Sequence, residues 1–188
     1  MQTTRHDTRG ITLIEMMMVL AVLAILIATA MPAFGNLLQS TEAQTSRSSL
    51  TAALETARIL AISRSTNVAI CPSADTQYCG HTTEWQHGWL VFVDADHDGT
   101  RDASEEIVSV SQAQPEGVAV LTSAGRTHVS YRPDGSSPGS NVTFTVCDAR
   151  GADRATALVI NNAGRVRSGT PTPAAAATCE QALGRPSA

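Results

Sequence analysis

The stretch from Asp94 to Glu105 sets carboxylates at alternating positions, Asp94, Asp96 and Asp98, then Gly99, Thr100, Asp102 and Glu105. Hard divalent cations take oxygen ligands, and one loop wraps calcium with this spacing. The candidate ligands are Asp94, Asp96, Asp98, Thr100, Asp102 and Glu105, with Gly99 supplying the sharp turn. Six acids between Asp94 and Glu106 face one Arg, a repulsion that a cation relieves. The flanking Val91–Val93 and Ile107–Val110 read as strands, and Asp and Gly form turns in their own right. A solvated hairpin turn therefore stands beside calcium as a reading of this loop, with His97 exposed and idle.

A second candidate is Asn161-Asn162-Ala163-Gly164-Arg165-Val166-Arg167. Asn and Gly make a turn, and Arg165 and Arg167 alternate with Val166, so in a strand both guanidinium groups leave one face. Residues 125–188 hold seven Arg against four acids, while residues 11–124 hold four against twelve. Gly164, Arg165 and Arg167 are thus candidates for holding nucleic-acid phosphates without reading sequence. Surface salt bridges or a contact with a neighbouring subunit compete for the same two side chains. All 13 basic residues are Arg, a bias of composition, so position rather than number carries this argument.

Enzyme chemistry finds no footing. The five His show no metalloprotease or triad pattern, the Ser residues lack a nucleophile elbow, and no glycine loop cradles phosphate. No cofactor is required, and calcium is the one candidate ion. Trp85, Trp89 and Phe92 gather around one strand and read as core packing rather than a base-stacking platform. The four cysteines, Cys71, Cys79, Cys147 and Cys179, suit two bridges in an exported chain. Of the three pairings, Cys71–Cys79 and Cys147–Cys179 are favoured because each closes a local loop. Zinc is disfavoured, since neither pair has knuckle spacing or a His beside it.

These residues need elements to position them. Ile11 to Met31 is an apolar run of 21 residues whose one charge is Glu15. At the helical rise it spans roughly 30 Å, a bilayer core. Pro32 kinks a helix without having to end it. Beyond it, Leu37, Leu38, Leu50, Ala53, Leu54, Ala57, Leu60 and Ala61 keep helical spacing. One helix is expected from about Thr12 to about Ser63, weakest at Pro32 and Gly35. Then the period becomes two. Strands are expected near Val68–Cys71, Trp89–Asp94, Ile107–Gln112, Val118–Thr122, Val129–Arg132, Val142–Cys147 and Ala157–Asn161, with an eighth after Gly164. The Pro/Ala-rich tail Thr170–Ala177 is expected to be irregular and tethered through Cys179. The class is α+β: a long N-terminal helix packed on an antiparallel β-sheet head.

Arg9-Gly10-Ile11-Thr12-Leu13-Ile14-Glu15 resembles the type IV prepilin motif. Together with Ala57-Arg58, Val68 to Cys71-Pro72, Gly88 to Asp94 and Gly164-Arg165-Val166-Arg167, it resembles the GspH/FimT family of pilin-like proteins. That resemblance implies a leader at 1–10, removed by a prepilin peptidase between Gly10 and Ile11, with Ile11 then N-methylated. Phe is usual at that position, so Ile11 is a departure. It further implies a membrane and filament-core helix at 11–31, its amphipathic continuation at 32–65 and a periplasmic head at 66–188. Glu15, costly in hydrocarbon, would pair with a neighbouring subunit's freed ammonium and set assembly register. Arg5 and Arg9 would hold the leader in the cytoplasm and anchor the chain in the inner membrane. Expected partners are other pilins or pseudopilins and, in the FimT-like branch, double-stranded DNA taken up in natural transformation. The GspH-like branch is instead a pseudopilin of type II protein secretion.

Overall fold

The computed structural model describes residues 12–139 and 141–184. In chain order these form α1 (Leu13–Arg64), β1 (Val68–Pro72), β2 (Trp89–Val93), β3 (Ile107–Ser111), β4 (Val118–Thr122), β5 (Val129–Tyr131), β6 (Val142–Asp148), β7 (Thr156–Ile160), β8 (Val166–Gly169) and α2 (Pro173–Ala182). All eight expected strands form, and α1 lies within a residue of its expected ends. It continues through Pro32 and Gly35.

The chain divides into two units after Leu38. In the first, α1 is exposed on all sides, at Leu13, Met17, Leu20, Ile25 and Phe34 among others. This part of the helix is long and apolar enough to cross a membrane. Thr29 turns its hydroxyl back onto the carbonyls of Ile25 and Leu26, the internal satisfaction that hydrocarbon demands. Leu37 and Leu38, expected in the head-facing stripe, are exposed.

In the second unit α1 buries Ser46, Leu50, Leu54, Ala57 and Ala61, a stripe at steps of three and four. Leu50 and Leu54 each contribute about 2 kcal/mol by leaving water. The short side chains of Ala57 and Ala61 let the backbone approach the strands. Two antiparallel sheets, ordered β3-β2-β1-β5 and β4-β6-β7-β8, supply the rest of this core. It includes Ile70, Val91, Tyr131, Phe144 and Leu158, and Trp85 meets Phe144 edge to face with ring centres 4.9 Å apart. Trp85 and Trp89 are buried, as core packing requires.

Strands β1 and β4 are buried along their whole length rather than alternately. The reason is that each sheet is covered on its outer face too. The Cys71–Cys79 bridge folds its loop over Ala69, Leu90 and Phe92. The Cys147–Cys179 bridge holds α2 over Ala119 and Leu121. Both pairings are the local ones expected. The tail is not irregular as expected. Thr172 caps α2 by accepting from the Ala175 N–H at 3.2 Å, Pro173 occupies the first turn, and Ala174–Ala177 propagate the helix. Proline here starts a helix instead of breaking one, and alanine is the strongest helix former.

Candidate functional site

The acidic loop joins β2 to β3. Asp94, the first residue after β2, is 1% exposed, whereas Asp96 and Asp98 are exposed. Each offers a carboxylate oxygen within 4.8 Å of the others. Asp94 Oδ1 accepts from the Gly99 N–H at 3.4 Å, while its Oδ2 is buried without a hydrogen-bond partner. Burial, and then the charges of Glu105, Asp96 and Asp98, push the Asp94 carboxyl above its ordinary value, against the pull of the Gly99 N–H. Gly99 is at φ +74°, the left-handed region that favours glycine, and a Cβ there would have to push aside the exposed His128 ring. Glu105 is held otherwise: its oxygens accept from the backbone N–H groups of Ala95 at 2.7 Å and Asp102 at 2.9 Å. The Asp102 and Thr100 N–H groups are both tied within the loop, the latter to Asp98 Oδ1. His97 is exposed, at φ +68°. Arg101, the one Arg facing these acids, braces the loop. Its guanidinium donates to the carbonyls of Gln77, Ala103 and Glu105 and lies over the Tyr78 ring at 5.8 Å.

The arginine turn closes at the other sheet. The Asn161 Oδ1 accepts from the Arg165 N–H at 3.2 Å, and the Gly164 N–H donates to the Asn161 carbonyl at 2.8 Å. β8 then forms the free edge of its sheet, with Arg167 opposite Val159 and Val166 opposite Ile160. Val166 packs on the core; Arg167 follows it within β8, on the opposite face of the strand, and Arg165 lies immediately before the strand begins. Both are exposed, and neither guanidinium has an acidic partner among the described residues. Other arginines in this basic segment are committed: Arg150 forks onto Asp148 at 2.9 and 2.7 Å, and Arg154 meets Asp153 at 3.3 Å. On the same outer face a groove of about 420 Å³ opens beside Thr143, Val159, Thr170 and Thr172. Gly164 differs from its two neighbours. It is buried at φ +72°, and a Cβ would fall 2.1 Å from the Gly135 carbonyl oxygen. Its contribution is to the packing that carries the pair. The Asn161 side chain was the missed positioning residue, signalled by an Asn opening an Asn-to-Gly turn.

At the N-terminus, Gly10 and Ile11 lie outside the described residues, as do Arg5 and Arg9. Glu15 is exposed in the first turn of α1, and its N–H donates to Thr12 Oγ1 at 3.3 Å. Thr12 therefore caps the helix, so Thr12 and Glu15 have capping-box spacing as well as an assembly reading.

Residues 47–164, more than half of the chain, match the family of type II transport protein GspH. The chain belongs to the GspH family. Residues 5–31 of this GspH-family protein match the prokaryotic N-terminal methylation motif, a span containing Gly10, Ile11 and Glu15. It is a pilin-like subunit, a minor pilin or pseudopilin that assembles with other pilins in a filament, and its role is structural rather than enzymatic. The apolar helix and the motif fit membrane anchoring of a head domain. Its fold is that of the type IV minor pilin FimU of Pseudomonas aeruginosa. One crystal form gives 21% identity and TM-score 0.57 over 71% of this chain and 91% of that one. A second gives 22% and 0.54 over 67% and 91%. The minor pseudopilin EpsH of the Vibrio cholerae type 2 secretion system aligns at 14% and 0.48, over 70% and 98%. No curated protein matches the chain. Arg165 and Arg167 fall just beyond the family match, and the acidic loop falls inside it.

Proposed function

We propose that this GspH-family subunit is a FimT-like minor pilin of a type IV pilus, whose head binds double-stranded DNA weakly and without sequence preference during natural transformation. The observation that carries this reading is the pair Arg165 and Arg167: two exposed arginines, one within the edge strand β8 and one immediately before it, without acidic partners among the described residues. Thr143, Thr170 and Thr172 are among the residues lining the groove on that face, and hydroxyl side chains suit phosphate contacts that position a duplex. Few phosphates are neutralised, so one head binds weakly and avidity comes from the filament. In this reading a prepilin peptidase cuts between Gly10 and Ile11, Ile11 is N-methylated, and Glu15 pairs with a neighbouring subunit's ammonium in the inner membrane. The family's description as a type II transport protein favours a second reading, a pseudopilin of type II secretion. DNA retardation by the detergent-solubilised full chain separates the two. Wild type is expected to retard duplex DNA at low salt and Arg165→Ala/Arg167→Ala to lose most of that retardation. Equal behaviour of the two proteins leaves the secretion reading.

A further inference from the structure

We propose that Asp94, Asp96 and Asp98 form a calcium site in the β2–β3 loop, with the buried Asp94 Oδ2 as its innermost ligand. A carboxylate oxygen shut away from water without a donor is costly, and native structures supply such atoms with a partner. Here the Asp94 side chain is 1% exposed, its Oδ1 already accepts the Gly99 N–H, and Oδ2 has nothing. Two more carboxylates, from exposed Asp96 and Asp98, converge with that of Asp94. Three acceptors cannot satisfy one another, but one cation satisfies all three.

The dimensions fit that ion. Ligand oxygens about 2.4 Å from a common calcium stand at most about 4.8 Å apart. The oxygens of Asp94, Asp96 and Asp98 all lie within 4.8 Å of one another. The loop does not neutralise itself from within. Arg101 is its one basic residue, and its guanidinium is spent on the carbonyls of Gln77, Ala103 and Glu105 and on the Tyr78 ring. Glu105 differs from the twelfth-position glutamate of a helix-flanked calcium loop. Both its oxygens take backbone N–H groups, so it holds the loop shut while the three aspartates and water complete the shell. Calcium accepts such an irregular, partly hydrated shell, whereas magnesium demands a near-ideal octahedron. Three carboxylates with no bidentate glutamate place the affinity in the weak class of about 10⁻⁴–10⁻³ M found in extracellular modules.

The site is independent of the DNA reading, since it lies in the other sheet's hairpin. The test uses the purified full chain in detergent, stripped with chelator and then given calcium chloride alone. Melting temperature and binding heat are followed up to about 10 mM, well above that affinity. Wild type is expected to rise in Tm by about 3 °C or more and to bind one calcium. Asp96→Asn/Asp98→Asn changes only exposed side chains and keeps their turn-forming shape. It is expected to fold, to melt in chelator at or above wild type because repulsion is relieved, and to show neither calcium response. A wild type without Tm shift or binding heat overturns the site. So does a double variant that responds to calcium as wild type does. An equal shift from magnesium chloride at the same concentrations overturns the assignment to calcium.

Discussion

Arg58 Nε donates to the Gly135 carbonyl oxygen at 2.9 Å, tying the buried half of α1 to the turn between β5 and β6. The same oxygen lies 2.1 Å from where a Cβ of Gly164 would sit, and Tyr131 crowds that position at 3.2 Å. Helix, hairpin and arginine turn thus meet at one carbonyl. Gly164→Ala would both strain a φ of +72° and displace this contact. It is expected to cost about 2–4 kcal/mol, read by denaturant unfolding of the full chain. Any loss of DNA retardation in that variant should track unfolding, whereas Arg165→Ala/Arg167→Ala should leave unfolding unchanged.

The C-terminal helix depends on its bridge. α2 buries only Ala176 and Cys179 fully, against Ala119 and Leu121. Such a small contact area holds a ten-residue helix poorly without a covalent tie. Cys147→Ser/Cys179→Ser is expected to cost about 2–4 kcal/mol and to release α2. Hydrogen exchange should show the amides of residues 174–182 losing protection before those of the sheets. Simultaneous loss of protection across both would mean that α2 belongs to the core's cooperative unit.

Asp75 gives the loop closed by Cys71 and Cys79 a pH dependence. The N–H groups of Tyr78 and Gln77 donate to its Oδ1 at 2.9 Å each, and the Ser73 hydroxyl at 3.1 Å. These donors hold the carboxyl below its ordinary value, against the smaller opposing effect of desolvation. A depressed carboxylate stabilises the fold above its unfolded pKa of about 3.9, and that contribution fades as pH falls through the folded value. NMR titration should therefore find Asp75 titrating below a free aspartate, and Asp75→Asn should flatten the stability profile below about pH 4. A titration at the ordinary value would remove the argument.

The pattern of what was legible follows from range of interaction. Period two and period 3.6 are local, so all eight strands and α1 could be read from residues such as Val142–Asp148 and Leu50–Ala61. Cysteine spacing is local as well, and both bridges followed from it. The tail was misread because a Pro/Ala-rich run was weighed by its proline rather than by its place after Thr172. Division into two sheets with both faces covered was not legible, since it depends on Glu84 bridging to Leu121 and on α2 folding back. In the acidic loop the alternation of Asp94, Asp96 and Asp98 gave the convergence. The burial of Asp94 but not of Asp96 or Asp98, and the capture of Glu105 by the N–H groups of Ala95 and Asp102, depend on how the loop folds between β2 and β3, which spacing does not state.

Glu15 separates insertion from assembly. The cap on the first turn uses the Glu15 backbone N–H and the Thr12 hydroxyl, so it survives a change of the Glu15 side chain. Glu15→Gln keeps the size and removes the charge that the proposed ammonium pairing needs. Its recovery in the membrane fraction and the stability of the head should match wild type, while incorporation into sheared filaments should fall severalfold. Normal incorporation would show that the carboxylate is dispensable for register.

Salt dependence distinguishes phosphate binding from nonspecific adhesion of a basic surface. Each phosphate neutralised contributes about −0.9 to the slope of log affinity against log salt on duplex DNA. Removing Arg165 and Arg167 together should therefore flatten the slope by about 1.8, with the melting temperature unchanged because both side chains are exposed. Arg154→Ala is the control. Arg154 carries the same charge in the same basic segment but is already paired with Asp153 at 3.3 Å, so its removal should move the slope far less. If Arg154→Ala flattens the slope as much as one member of the pair does, overall charge governs binding, and the edge-strand geometry of β8 is not what recognises DNA.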